Sequence, residues 1–224
     1  MNKLSIILNS IFAFLIIVGD ILYMTIGGLL IKSITSALFL LLGLINLVLA
    51  LKSQKYNLKF GILLVIGLFF AMLGDIILEI NFIIGALLFA TGHIFFFISY
   101  CTIIKFKATD LIAGAIIFTP FTLFILLAPI FDFGGILMQG VCIFYTVIIS
   151  CMLGKSITNY IKEKSKLNLI LLIGSVLFTF SDFMLLLNVF ANLPRIVGIL
   201  CLVSYYPAEI FLALSPAFAR SENK

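Results

Sequence analysis

Eight long apolar runs, separated by short polar breaks, constrain this chain more than any other feature. An α-helix rises about 1.5 Å per residue, so roughly 20 apolar residues suffice to cross the ~30 Å hydrocarbon layer. The runs fall at 4–24, 31–51, 60–78, 83–104, 110–127, 135–153, 167–187 and 195–214. Composition agrees: 64% of the 224 residues are hydrophobic and 10% are charged, against about 25% charged in an ordinary soluble domain. Mean hydropathy is +1.35. The expected fold class is an all-α polytopic membrane helix bundle of eight transmembrane helices, a single integral membrane domain over 1–224, in the cell membrane. The first run continues past Ile16 to Asp20 without a small-residue cleavage site, so it reads as a retained helix rather than a signal peptide.

The loops carry the charge. The formal net charge of +5 is placed in short connections, which suits orientation and anionic lipid rather than nucleic acid. Of the 14 lysines and arginines, only Lys32 and Arg195 lie on one side of the alternating loops. The positive-inside rule therefore predicts both termini in the cytoplasm. Lys155–Lys166 reads as the longest polar loop, basic and partly helical, and Pro120 interrupts the fifth span. The four cysteines, Cys101, Cys142, Cys151 and Cys201, are scattered and form no CxxC pair. Neither a thiolate metal site nor a disulfide framework is expected.

Carboxylates inside apolar runs are costly unless paired, hydrated or protonated. Asp75 in LFFAMLGDIIL and Asp182 in LFTFSDFMLLL are therefore the leading candidates. Each follows a small residue, Gly74 or Ser181, and precedes a leucine by three positions. If the two faced each other, one would hold a proton near neutral pH, giving an acid and a base from identical side chains. The topology collects Asp20, Lys32, Asp75 and Asp182 towards one end, with His93 deeper and Glu209 at or beneath the floor. Lys32 and Arg195 suit a phosphate group, and Tyr145, Tyr205 and Tyr206 can orient a carboxylate or head group. Lys32 at a span end also reads as a snorkelling lysine, His93 as a histidine bonded across helices, and Glu209 as a group paired within the bundle. No GxSxG, HExxH or GxGxxG motif is present.

Taken in order, these strings resemble the YhhN-like membrane proteins, the family that includes the mammalian lysoplasmalogenases. The similarity covers nearly the whole chain. Gly74–Leu78 matches the family's Gly-Asp-x-x-Leu string, and Phe178–Asp182 its Phe-x-x-Ser-Asp string. His93 with Tyr100, Tyr145 and Phe190 match further single positions. The lysine that opens the second span is usually followed by proline, where this chain has Lys32–Ser33, and the last-span Tyr-Tyr-x-Ala-Gln ends here in Glu209. The resemblance implies hydrolysis of the vinyl ether bond of a lysoplasmalogen, releasing fatty aldehyde and glycerophosphoethanolamine or glycerophosphocholine. It implies Asp75 and Asp182 as the catalytic pair, a lysophospholipid substrate, and no metal or organic cofactor. A proton- or ion-coupled transporter and a non-catalytic lipid-binding protein are the alternatives that intramembrane carboxylates also allow.

Overall fold

The computed structural model describes residues 3–52 and 56–219. Lys55, Arg220 and Lys224, which contribute to the charge asymmetry, lie outside them. The described chain is helical: α1 (Lys3–Ile26), α2 (Leu29–Leu51), α3 (Leu58–Leu78), α4 (Phe82–Ile103), α5 (Ala108–Leu127), α6 (Ile136–Lys162), α7 (Lys166–Phe190) and α8 (Ile196–Leu214), followed by a 3₁₀ turn over Ser215–Phe218. All eight α-helices are long and apolar enough to cross a membrane. The protein is a multi-pass integral membrane protein.

The helix ends are set by local chemistry. Asn57, Asn81 and Ser165 each accept a hydrogen bond from a backbone amide three residues on, the usual way to satisfy an orphan donor at a helix start. Gly27 and Gly28, at φ 74° and 101°, make the α1–α2 turn in backbone conformations that a side chain resists. The segment read as a long polar loop differs. α6 runs on to Lys162, leaving only a short connection, because Lys155, Ser156, Thr158 and Asn159 are buried and bonded rather than solvated. Pro120 and Pro207 both sit inside their helices.

The bundle is inside-out relative to a soluble protein. Large apolar side chains such as Phe14, Leu30, Ile116 and Leu137 face outwards, while Lys32, Asp75, His93, Lys155 and Glu209 are buried. α8 is the central element, packed against α1, α2, α3 and α7, whereas α5 packs closely on α6 and meets α7 only through the rings of Phe121 and Phe124 against Phe183, among the described residues. The Asn57 amide donates to the Ala219 carbonyl, which brings the end of the described chain to the α2–α3 connection. This end is called the terminal end. At the opposite, far end Arg195 donates to the Met24 carbonyl and the Asp132 amide to the Phe190 carbonyl, joining α1, the α5–α6 connection and the α7–α8 connection.

Candidate active site

Two polar constellations lie towards the far end. The first starts from helical spacing. Lys32 and Ser36 are four residues apart on α2, and Asp75 on α3 and Glu79 at its C-cap have the same spacing, so each pair shares a helix face. The Lys32 ammonium reaches Asp75 Oδ1 at 3.1 Å and Glu79 Oε1 at 2.7 Å. Ser36 donates to Asp75 Oδ2, and the Tyr206 hydroxyl donates to the same oxygen at 3.2 Å. Tyr23 donates to Glu79 Oε1 at 2.6 Å and sets its ring 5.3 Å from the ammonium. Asp20 on α1 completes the group. It is buried, feels the charge of Asp75, and has no hydrogen-bond partner for Oδ1. Glu79 lies just past the end of α3. Partial burial pushes its carboxyl up, but the hydrogen bonds from Lys32 and Tyr23, with the charge of Lys32, outweigh this and hold it below its ordinary value.

The second constellation joins α4, α6 and α7. Asp182 Oδ2 accepts from the Tyr145 hydroxyl at 2.5 Å and lies 3.3 Å from His93 Nε2. Nε2 is also 2.7 Å from the Tyr145 oxygen. A phenol has one proton, and here it goes to Asp182, so the His93 proton is assigned to Nε2, donating to Tyr145. Nδ1 is then the unprotonated nitrogen, and it has no partner. The imidazole is held edge-on to Phe178 with ring centroids 4.5 Å apart. These contacts fix a directional line, His93 to Tyr145 to Asp182.

Asp182 and Tyr145 line a mainly apolar, partly open cavity, walled by Phe82 and Phe89 of α4, Phe121 of α5 and Phe183 of α7. Asp182 lines this cavity and Asp75 does not. Between the two constellations stands Tyr205. Its ring packs edge-on against Phe89, Phe178 and Tyr206. Glu209, one turn further along α8, is fully buried, and the Tyr205 hydroxyl approaches it without reaching hydrogen-bonding geometry.

The structure thus groups the sequence candidates as Asp20, Lys32, Asp75 and Tyr206; His93, Tyr145 and Asp182; and Tyr205 with Glu209 between. Each aspartate has its own set of partners, and no hydrogen bond joins the two. Arg195 lies apart, bound to the backbone of α1. Ser36, Tyr23 and Glu79 were not singled out from sequence. The fourfold spacings Lys32–Ser36 and Asp75–Glu79 were the signal that could have found two of them. Among the described residues no group of three His, Cys, Asp or Glu side chains is arranged to hold a metal ion.

A model of the YhhN family matches residues 10–216, a segment that contains every one of these candidates. The chain belongs to the YhhN family. No curated protein and no solved structure matches it. Within this YhhN-family chain, family membership and the polytopic helical architecture support a lysoplasmalogenase-like function.

Proposed function

We propose that this protein hydrolyses the vinyl ether bond of a lysoplasmalogen, with Asp182 as the proton-transfer group and Asp75 as a fixed counter-charge. The observation that carries the proposal is a carboxyl oriented by Tyr145 and His93 on the wall of a mainly apolar cavity. That is a setting for a reacting bond at the junction between a polar glycerol unit and its hydrocarbon chain.

A protonated Asp182 gives its proton to the vinyl carbon remote from oxygen, breaking the carbon–carbon π bond and leaving an oxocarbenium ion. Water adds to the adjacent carbon, and the Asp182 carboxylate takes the proton that water releases. The hemiacetal then separates into fatty aldehyde and glycerophospho-alcohol, so one water is consumed and the carboxyl is restored. Oδ2 receives the Tyr145 hydrogen bond, which leaves Oδ1 for the proton. Asp75, paired with Lys32, contributes fixed negative potential that favours the cation. The cations at this end that suit the phosphate are Lys32, which Asp75 and Glu79 engage, and Arg195, which is exposed and donates to the Met24 carbonyl. No cofactor is needed for these steps.

The test is direct. Purified protein should release fatty aldehyde from a lysoplasmalogen, chelator should not stop it, and the matching saturated ether should not react, since it cannot form the cation by carbon protonation. Absence of aldehyde with both ethanolamine and choline head groups would overturn the assignment.

A further inference from the structure

The cavity beside Asp182 is shorter than a lipid tail. Its lining on α6 ends towards the terminal end at Ile149 and Ser150. These lie four and five residues beyond Tyr145, about 6–8 Å at the helical rise. On α7 the lining ends in the same direction at Thr179, three residues from Asp182, or about 4.5 Å. A lipid chain fills one leaflet, half of the ~30 Å hydrocarbon layer. With its vinyl ether beside Asp182, most of the chain therefore lies beyond the lining.

Three sides give it no way out. Beyond Ser150 the backbones of Gly114 and Gly154 come into contact, and the Asp110 ion pairs with Lys155 and Lys162 follow. α4 packs along α6. Towards the far end a chain of rings runs from Phe82 through Phe190, Phe133 and Phe131 to Phe124, and the Asp132 amide ties it to the Phe190 carbonyl. The fourth side differs. α5 and α7 have no close backbone approach, and among the described residues they meet only where Phe121 and Phe124 touch Phe183. Val176, Phe180 and Phe183 fall on one stripe of α7, so the cavity wall at Phe183 continues onto Phe180 and Val176, both exposed to lipid.

The geometry points to the seam between α5 and α7 as the sideways entry for a single-chain ether lipid from the bilayer and as the resting place of its tail. Phe121 and Phe183 are its gate. The cavity takes the ether and the first few carbons, and the rest of the chain lies along Phe180 and Val176 in contact with membrane lipid. A fatty aldehyde product leaves by the same path without crossing either polar constellation. The inference rests on the lipid reading of the cavity but not on the hydrolysis.

Two saturated 1-O-alkyl lysophosphatidylethanolamines test it on the full-length protein in lipid vesicles. One carries a photoreactive diazirine next to the ether and the other at the tail end. The first should label Cys142, Thr146 and Thr179. The second should label Val176 and Phe180 above the exposed Phe14 of α1, and excess unlabelled analogue should displace it. Tail-end label on Ile149 and Ser150 would mean an enclosed tail and would overturn the inference. The rings of Phe121 and Phe183 are 5.2 Å apart, so Phe121→His with Phe183→His places two imidazoles where one zinc ion can join them. Zinc should then abolish the cavity label, and chelator should restore it. Phe183→Ala, which needs no zinc, should label the cavity faster than wild type. Cavity labelling that neither variant alters overturns the gate. Gated labelling without aldehyde release removes the hydrolase and leaves the entry path, whereas undiminished aldehyde release with zinc in place removes the entry path and leaves the hydrolase. A cavity that neither probe labels sinks the entry path together with the lipid reading.

Discussion

Two buried lysines set the ends of this bundle apart. At the terminal end Lys155, 0% exposed, reaches Asp110 Oδ2 at 2.7 Å and also donates to the Lys105 carbonyl. Lys162 takes the other oxygen of Asp110 at 2.9 Å, and the Lys107 amide adds a further bond. Two ammoniums thus share one carboxylate, next to a Gly114–Gly154 contact in which a Cβ on Gly154 would lie 2.5 Å from the Gly114 nitrogen. At the far end Lys32 is a single ammonium for Asp75 and Glu79, with Asp20 beside them, and polar atoms on Asp20, His93, Tyr205 and Glu209 are left without partners. The first cluster is a saturated clamp that fastens α5 to α6. The second holds excess acid beside a cavity. Buried charge by itself does not mark a working site, and unpartnered polar atoms such as Asn159 Oδ1 and Asn168 Oδ1 occur at the terminal end too; the difference lies in the balance of acid and base and in the space next to it.

The largest expected effect separates two aspartates, one half-buried at the cavity and one buried in the clamp. Asp182→Asn removes the transferable proton, and general acid catalysis is worth ~10²–10⁴ in rate. Asp110→Asn removes a more deeply buried carboxylate, yet it should leave the turnover of the folded fraction unchanged and lower only stability. Aldehyde release normalised to folded protein checks both. A comparable loss of turnover in Asp110→Asn would erase the distinction between the clusters.

A smaller effect separates the lysines. Lys155→Met strands Asp110, and breaking one side of a buried pair costs about 3–5 kcal/mol, with Lys162 keeping the loss near the lower figure. Denaturation in detergent should show this with little change in KM. Lys32→Met strands Asp75, so stability, KM and kcat should all worsen. If the two variants shift the same quantities, Lys32 is a clamp like Lys155.

The smallest effect concerns Glu79. Its carboxyl is held below the ordinary 4.5 in the folded protein. The unfolded chain therefore binds the proton more tightly, and the contribution is present above 4.5 and lost as pH falls through the folded value. Glu79→Gln should lower stability near neutrality and converge on wild type in acid, which flattens the acid side of the profile. An unaltered acid limb would remove Glu79 from the ionic cluster.

Much of this architecture is legible in the sequence because the membrane imposes it. The span length marks all eight helices, and Asp75, Asp182, Lys32 and His93 stand out as polar residues in apolar runs. The clamp is hidden because Lys155 and Lys162 flank Ser, Thr and Asn positions that read as a loop, and only the fold brings Asp110 across to them. The separation of Asp75 from Asp182 is hidden for a related reason. Matching strings on α3 and α7 carry no information about Tyr205, which α8 inserts between. Sidedness rests on loop charge alone. Reporter fusions after Lys107 and Glu163 should lie in the cytoplasm, and those after Asn81, Asp132 and Asn192 outside; the reverse pattern would put the cavity on the cytoplasmic side.

The central claim is that a carboxyl on the cavity wall delivers a proton to carbon. Running the reaction in deuterium oxide and reducing the aldehyde as it forms records that step. The account predicts one deuterium on the carbon next to the former aldehyde carbon in wild type, and loss of the labelled product in Asp182→Asn. Aldehyde released without that deuterium, or label delivered at full rate by Asp182→Asn, would contradict it.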